Sequence, residues 1–195
     1  MKVEQKHIQL IGDALIPFCG FFLWEWNLYF ILLFYFVDMI SDEFFLHLKT
    51  NRIVKNQPSE NNVSWFKYGA ISLFLFFLAI AVTHCSMLFI DVGIDFKTEA
   101  IAFWNYEEMG VKQGVFLVPL VFLVGFVQYR MEFLLPGVFK KVKIEFVWKK
   151  HVLALSGIIA LSGLCLATAQ FIVFPELVYI LLIIFTTSSY KFRFN

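Results

Sequence analysis

The chain has 195 residues and a net charge of +1; 60% of its residues are hydrophobic and only 16% are charged. Soluble domains are about 45–50% apolar and about 25% charged. A water-soluble fold of this size cannot bury so much apolar surface, so the composition excludes a soluble enzyme, a nucleic-acid-binding protein and a disordered linker. The sequence instead predicts a single integral membrane domain over residues 1–195, with the lipid bilayer around it.

Long apolar stretches predict an all-α, polytopic transmembrane bundle. A helix needs about 20 apolar residues to cross a bilayer core of about 30 Å. The six predicted spans cover residues 8–23, 27–48, 65–90, 113–135, 152–172 and 175–189. The first span is interrupted by Pro17 and Gly20, and the last is short. Residues 91–112 are rich in aromatic side chains, which predicts a segment lying partly on the membrane surface, and residues 139–151 form a basic connection.

The basic residues predict the orientation, because lysine and arginine stay on the cytoplasmic side of a membrane. Six spans with both termini in the cytoplasm place 14 of the 16 basic residues on that side and leave only Lys97 and Lys112 outside. The acidic residues that then face outward are Glu25, Asp91, Asp95, Glu99, Glu107, Glu108 and Glu176. A five-span arrangement, with residues 8–23 in the interface, places the N-terminus outside and fits the basic residues slightly less well.

Charged residues within the predicted spans form the main candidate site. Asp38 falls near the bilayer midplane, where an ionised carboxylate costs about 2.5–3.5 kcal/mol on insertion scales. Asp38 and Asp42 are four residues apart and share a helical face, and Glu43 and His47 share an adjacent one. The candidate intramembrane polar cluster consists of Asp13, Asp38, Asp42, Glu43, His47 and Arg130. Three interpretations stay open: an ion pair that fixes helix register, a proton or cation path or polar ligand site, or acids at the interface.

A row of small residues follows one face of the fifth predicted span. Ser156, Ala160, Gly163 and Ala167 recur at spacings of four, three and four. Small residues let helix backbones approach closely in lipid, where packing drives association. The row predicts a helix–helix contact, with another helix of the chain or with another protein.

The remaining reactive residue types predict no catalytic set, metal site or cofactor. Cys19, Cys85 and Cys165 are single residues in apolar runs and form no framework of disulfides. His84 stands beside Cys85, whereas zinc usually needs about four ligands, or three and a water. Neither a serine-protease pattern nor a phosphate-binding glycine loop is present.

Residues 14–48 resemble the opening of a known bacterial protein family. The matching positions are Pro17, Gly20, Trp26, Tyr35 and Asp38. The family comprises small multi-pass integral membrane proteins of unknown function. The resemblance implies a bacterial membrane protein with an acidic residue at Asp38 that is worth testing, and it implies no activity.

Three functions follow from these features. The first is a structural or accessory subunit of the bacterial inner membrane that packs against other membrane proteins or itself. The alternative is a small transporter or proton- or cation-conducting protein built on the carboxylate–arginine cluster. The third is an enzyme acting on lipid through Asp42, Glu43 and His47, for which the sequence shows no metal or acid–base geometry.

Overall fold

A computed structural model describes residues 15–57, 62–108 and 111–194, and the fold is all-α. The helices are α1 over residues 15–23, α2 Leu28–Asn56, α3 Asn62–Ile90, α4 Phe96–Asn105, α5 Gln113–Gln128, α6 Ile144–Ala169 and α7 Glu176–Phe194. The smaller elements are the two-residue strands β1 Glu107–Glu108 and β2 Val111–Lys112, which pair antiparallel, the π-helical turn Tyr129–Leu134 and the 3-10 turn Val138–Lys140.

Three helices of the described chain are long and apolar enough to cross a membrane: Trp65–Ile90, Gly114–Leu134 and Ile144–Ala169. The last begins at Ile144 and not at residue 152, because the lysine-rich connection is itself helical and buries Ile144 and Trp148. Lysine is a good helix former, so the helix extends back through the charged residues that precede the apolar run. The apolar part of α7, Glu176–Thr187, spans only about 18 Å at about 1.5 Å per residue.

Successive long helices run in opposite directions, so the helix bundle has two ends, and these ends differ in charge. The basic end contains the C-terminus of α2 and the N-termini of α3 and α6. The Gln57 side-chain amide, directly after α2, donates to the Phe139 carbonyl of the 3-10 turn that precedes α6, at 2.9 Å. Its basic residues include Arg52, Lys55, Lys67, Lys140, Lys141, Lys143 and Lys149. The acidic end contains the N-termini of α2, α5 and α7 and the whole of α4.

Carboxylates cap the helices at the acidic end. Glu176 of α7 accepts a hydrogen bond from the first amide of α2, and Glu99 of α4 accepts one from Asn27 at 2.9 Å. Asp95 caps α4, and hydrogen bonds from the Thr98 hydroxyl and the Lys97 amide lower the pKa of the Asp95 carboxyl below its usual value. Acidic side chains favour helix N-termini because of the positive end of the helix dipole.

α3 and α6 form the most extensive helix pair, and the first half of α2 lies in an aromatic core. In this core, the Phe30 ring packs edge-on against Phe103 and Tyr106 at 5.5 and 5.8 Å between centroids. A second cluster near the basic end surrounds the fully buried Trp148. The outward faces of α3, α5 and α7 expose large apolar rings such as Phe74, Phe116 and Phe185.

Two glycines in different surroundings give a matched test of the helix packing. A Cβ on Gly114 would lie 2.1 Å from the Phe103 carbonyl oxygen and 2.8 Å from that of Trp104, both backbone atoms of α4. Gly114→Ala is therefore expected to lower the free energy of unfolding by about 1–3 kcal/mol. Gly157→Ala, where no atom lies within 4 Å, should raise it by about 0.5–1 kcal/mol through helix propensity. Thermal unfolding in one detergent measures both, and equal effects would contradict the packing described here.

Candidate functional site

A buried carboxylate, Glu43, lies where α2, α3 and α6 meet. The His151 Nε2 of α6 is 2.6 Å from one carboxylate oxygen, and the His47 Nε2 of α2 is 3.1 Å from the other. The Ser72 hydroxyl of α3 lies 2.8 and 2.9 Å from the two oxygens. One carboxylate therefore links three helices through four polar contacts.

The local sequence explains how these side chains meet. His47 follows Glu43 by one helical turn, so the two lie on one face of α2. Gly69 of α3 lies beside the His47 ring, where a Cβ would be 3.4 Å from Cε1, an ordinary van der Waals distance. Trp148 presents its ring nearly perpendicular to His47, with centroids 5.5 Å apart, one turn before His151 on α6. The histidines are thus held by packing as well as by hydrogen bonds.

The hydrogen bonds around Glu43 indicate which groups donate and which accept. An ionised carboxylate only accepts hydrogen bonds and has about four lone-pair positions, and three donor groups face them here. When Glu43 is ionised, both histidines donate Nε2–H to it and Ser72 donates its hydroxyl hydrogen; when Glu43 is protonated, a histidine Nε2 can accept. A proton on either imidazole would balance the carboxylate charge, which is the usual condition for burying an ion.

A cleft of about 530 Å³ lies between α2 and α5 on one side and α6 and α7 on the other. Most of its wall is apolar, with the Thr83 and Ser86 hydroxyls near the acidic end. Charged and amide side chains line it from the middle of α2 to the basic end, and these are Asp38, Asp42, Lys49, Gln128, Glu132, Lys150 and His151. The cleft therefore combines a long apolar surface with a polar end.

His151 connects the cleft to the buried carboxylate. It lines the cleft and also bonds to Glu43, whereas His47 lies outside the cleft lining. The side chains of His151, Glu43 and His47 are 15%, 8% and 32% exposed. The three groups, called here the Glu43 relay, therefore form a continuous hydrogen-bonded path from the cleft through a buried carboxylate to a half-exposed surface.

The residues of the candidate intramembrane polar cluster lie in different surroundings. Glu43 and His47 are bonded to each other. Asp38 and Asp42 line the cleft, and both have interaction partners in the molecule. Arg130 is exposed and lies on the π-helical turn, and Asp13 lies outside the described residues.

The π-helical turn ends the fourth predicted span. The Leu135 amide donates to the Arg130 carbonyl five residues earlier, at 2.9 Å. The chain then reverses after Pro136 at Gly137, whose φ of 67° is in the left-handed region that glycine tolerates. π-Helical turns occur often at functional sites, and this one contributes Glu132 to the cleft.

Both ring nitrogens of His84 form hydrogen bonds within the helix bundle. A backbone carbonyl can only accept, so Nδ1 donates to the Ile80 oxygen at 2.8 Å, and Nε2 shares a hydrogen bond with the Tyr29 hydroxyl at 3.1 Å. The ring also stacks on Phe36 with an interplanar angle of 9°. Both nitrogens are used, so His84 joins α2 to α3.

The row of small residues on α6 faces away from the rest of the chain. Ser156, Ala160 and Ala167 are exposed, and no atom lies within 4 Å of a Cβ position on Gly163. The α3 contact uses a different face, on which Ser162 lies 2.9 Å from the Thr83 hydroxyl. Among the residues that the structure describes, no group of three or more His, Cys, Asp or Glu is placed to hold a metal ion.

Comparison of the chain with protein-family models, with curated proteins and with solved structures finds no match.

Sequence reasoning identified Glu43 and His47 but not Ser72 or His151. The four-residue spacing of Glu43 and His47 indicates a contact within one helix, whereas His151 is 108 positions from Glu43. One signal was available: Ser72 and His151 each follow the start of an apolar helix, at Trp65 and Ile144, by seven residues. They therefore lie at the same depth, roughly 10 Å from the basic end.

Proposed function

We propose that the chain is an integral membrane protein that transfers protons through the Glu43 relay, as a small proton conductor or proton-coupled transporter. The observation that carries the proposal is the continuous path His151–Glu43–His47, with contacts of 2.6 and 3.1 Å. Intramembrane ionisable residues are costly and usually mark ion or proton pathways. This path uses Glu43 and His47 of the predicted cluster and replaces its arginine with His151.

The membrane placement proposed here has six crossings and both termini in the cytoplasm. The three membrane-length apolar helices and the separation of a basic from an acidic end support it. The basic end then faces the cytoplasm, and the relay lies about 10 Å inside the apolar helices on that side. The resemblance of residues 14–48 to a family of small bacterial membrane proteins supports a bacterial inner membrane as the location.

The relay has the chemistry that proton transfer needs. Histidine is the side chain whose charge ordinarily changes between about pH 5 and pH 8. A proton that binds His151 Nδ1 from the cleft lets the Nε2 proton pass to Glu43 along the 2.6 Å contact. The protonated Glu43 then gives a proton to Nε2 of His47 in its Nδ1–H tautomer, and the Nδ1 proton of His47 leaves the relay. Positioned groups within hydrogen-bond reach are the geometric requirement for such transfer.

His47 provides the first test, because its half-exposed position tolerates substitution. We expect His47→Gln to lower the proton flux of liposome-reconstituted protein by about 10-fold. This is less than the 100-fold or more that a positioned proton-transfer group contributes, because His47 is the most exposed group of the relay, at 32%. The flux is measured with a pH-sensitive dye inside the liposomes under an imposed potential. Lys55→Gln, an exposed change on the same helix, is the control, and equal flux in both variants would contradict the exit through His47.

A second candidate function is an accessory subunit that packs against other membrane proteins or against itself. The exposed small residues of α6 favour it, because they provide a close-approach surface that no described helix of the chain covers. Native mass spectrometry after gentle extraction should then show a stoichiometric complex. Gly163→Leu should dissociate that complex. A wild-type monomer, or a complex that survives the substitution, would contradict the accessory role.

A further inference from the structure

A second cavity lies at the acidic end of the helix bundle. Its volume is about 260 Å³, and the polar side chains that line it are Asn27, Tyr29, Asp91, Glu99 and Glu176. Carboxylates gathered around one cavity attract cations and so raise the local concentration of hydronium ions. In the membrane placement given above, this cavity, called here the outer vestibule, is on the outer side of the membrane.

The outer vestibule and the cleft share three apolar side chains. Leu28, at the start of α2, and Met87 and Ile90, at the end of α3, line both cavities. Leu28 and Met87 are each 3% exposed and belong to the aromatic core, against which Ile90 packs. These side chains have no N–H or O–H group, whereas a buried water molecule needs about two to four polar partners. The three side chains therefore form a dry partition between the two cavities.

We propose that Leu28, Met87 and Ile90, called here the outer constriction, control the entry of protons from the outer vestibule into the cleft. The proposal rests on the proton transfer proposed above and adds the outer half of its route. Protons enter when the three side chains separate enough for water to connect the two cavities, and the packed arrangement is the closed state. Hydrophobic constrictions gate channels in this way, by excluding water.

Hydroxyl groups continue the route on the cleft side of the outer constriction. Thr83, Ser86 and Ser162 line the cleft there, and Ser86 is next to Met87 in the sequence. The Thr83 hydroxyl donates to the Ala79 carbonyl at 2.8 Å, so the Ser162 hydroxyl donates to Thr83 at 2.9 Å. Hydroxyl oxygens have two lone pairs, to which water can donate. Water that passes the outer constriction therefore meets polar partners again.

The outer constriction and the Glu43 relay lie in series along the cleft. Met87 stands 15 residues after Ser72 on α3, which is about 22 Å at about 1.5 Å per residue. The proton flux is then the fraction of time for which the outer constriction is hydrated, multiplied by the transfer rate of the relay. A substitution that changes either factor scales the flux.

A hydroxyl group placed in the outer constriction is expected to raise the proton flux of the full chain in liposomes. Met87→Ser removes bulk and gives water a hydrogen-bond partner, so the flux should rise by about tenfold, the ratio that one hydrogen bond supports. Leu88→Ser introduces the same group at the next position, where the leucine is 47% exposed, and should leave the flux unchanged. Initial rates of dye acidification, normalised to reconstituted protein, measure both variants.

The double variant Met87→Ser/Glu43→Gln shows whether the additional protons use the relay. Its flux should fall by about 100-fold from that of Met87→Ser, because the relay still contributes its full factor. A double variant with the same flux as Met87→Ser would indicate a leak beside the relay and would overturn the proposal.

Ile90→Thr decides the question if Met87→Ser does not fold, because threonine keeps the branched shape of isoleucine and adds a hydroxyl. Its flux should rise by at least about threefold. Wild-type flux in the folded variants of the outer constriction, while Glu43→Gln still lowers the flux, would overturn this proposal and leave proton transfer through the relay standing. A flux no greater than that of protein-free liposomes in the wild type and in these variants would overturn proton transfer as well.

Discussion

Replacing Glu43 with glutamine is expected to lower the proton flux of the reconstituted protein by about 100-fold. Glutamine keeps the size of the side chain and can accept a hydrogen bond from Ser72, but it cannot take up and release a proton. Positioned acid–base groups contribute about 10²–10⁴-fold to proton transfer, and Glu43 is the only link between His151 and His47 in the relay. Initial rates of dye acidification in liposomes, normalised to reconstituted protein, measure the effect.

Two further variants make the Glu43 result specific. Glu145→Gln changes an exposed carboxylate in the first turn of α6 and should keep the wild-type flux. Glu43→Asp keeps a titratable carboxyl but shortens its reach, so its flux should lie between the wild-type and Glu43→Gln values. Gel filtration and thermal unfolding establish that each variant is folded. A folded Glu43→Gln protein with wild-type flux would remove Glu43 from the pathway.

Replacing His151 with alanine is expected to cause the largest loss of stability. The change leaves the Glu43 carboxylate, which is 8% exposed, without its shortest hydrogen bond, and a buried acceptor that loses its partner costs about 3 kcal/mol when it is charged. For a chain of this size, that loss corresponds to a fall of roughly 6–12 °C in the unfolding temperature, at about 2–4 °C per kcal/mol. Thermal unfolding in detergent provides the measurement.

A double-mutant cycle tests whether this cost arises from leaving the buried Glu43 carboxylate without its partner. In Glu43→Gln/His151→Ala no buried carboxylate remains, so the double variant should be more stable than the sum of the two single changes predicts. Residues in direct contact commonly show coupling of about 0.5–3 kcal/mol. Strictly additive effects would show that His151 and Glu43 do not stabilise each other.

Much of the helical architecture follows from local properties of the sequence. The apolar run of the third predicted span coincides with Trp65–Ile90, because uninterrupted apolar residues leave no other structure for a bilayer. The tight turn at Trp24–Trp26 forms with Glu25 at a φ of 54°. The π-helical turn stops before Pro136, which cannot continue a helix. In each case the determining residues are neighbours in the chain.

The structure differs from the sequence prediction where charged residues indicate a connection but their helix propensity favours a helix. Residues 144–151 read as a basic connection, yet they are helical because Ile144 and Trp148 bury one face while the lysines remain at the surface. α4 forms within a segment read as a surface connection. Its N-cap Asp95 bonds to Lys97 and Thr98, a short signal that the overall polarity of the segment obscures.

The sequence predicts the contact within one helix of the candidate site but not the contacts between helices, for a geometric reason. Glu43 and His47 are one turn apart, so any helix brings them together. Ser72 and His151 join them only because α3 and α6 pack on each other and turn these particular faces toward α2. Helix rotation about its own axis is set by packing over the whole length, which spacing within one helix does not encode.

The reversal potential of wild-type protein in liposomes tests the central claim most directly. With a pH difference across the membrane and equal concentrations of all other ions, the potential at which the net flux is zero should shift by about 59 mV per pH unit, as expected for one charge. This result would show that protons are the ions carried. A reversal potential that does not change with pH, or a flux no greater than that of protein-free liposomes, would contradict proton transfer through the Glu43 relay.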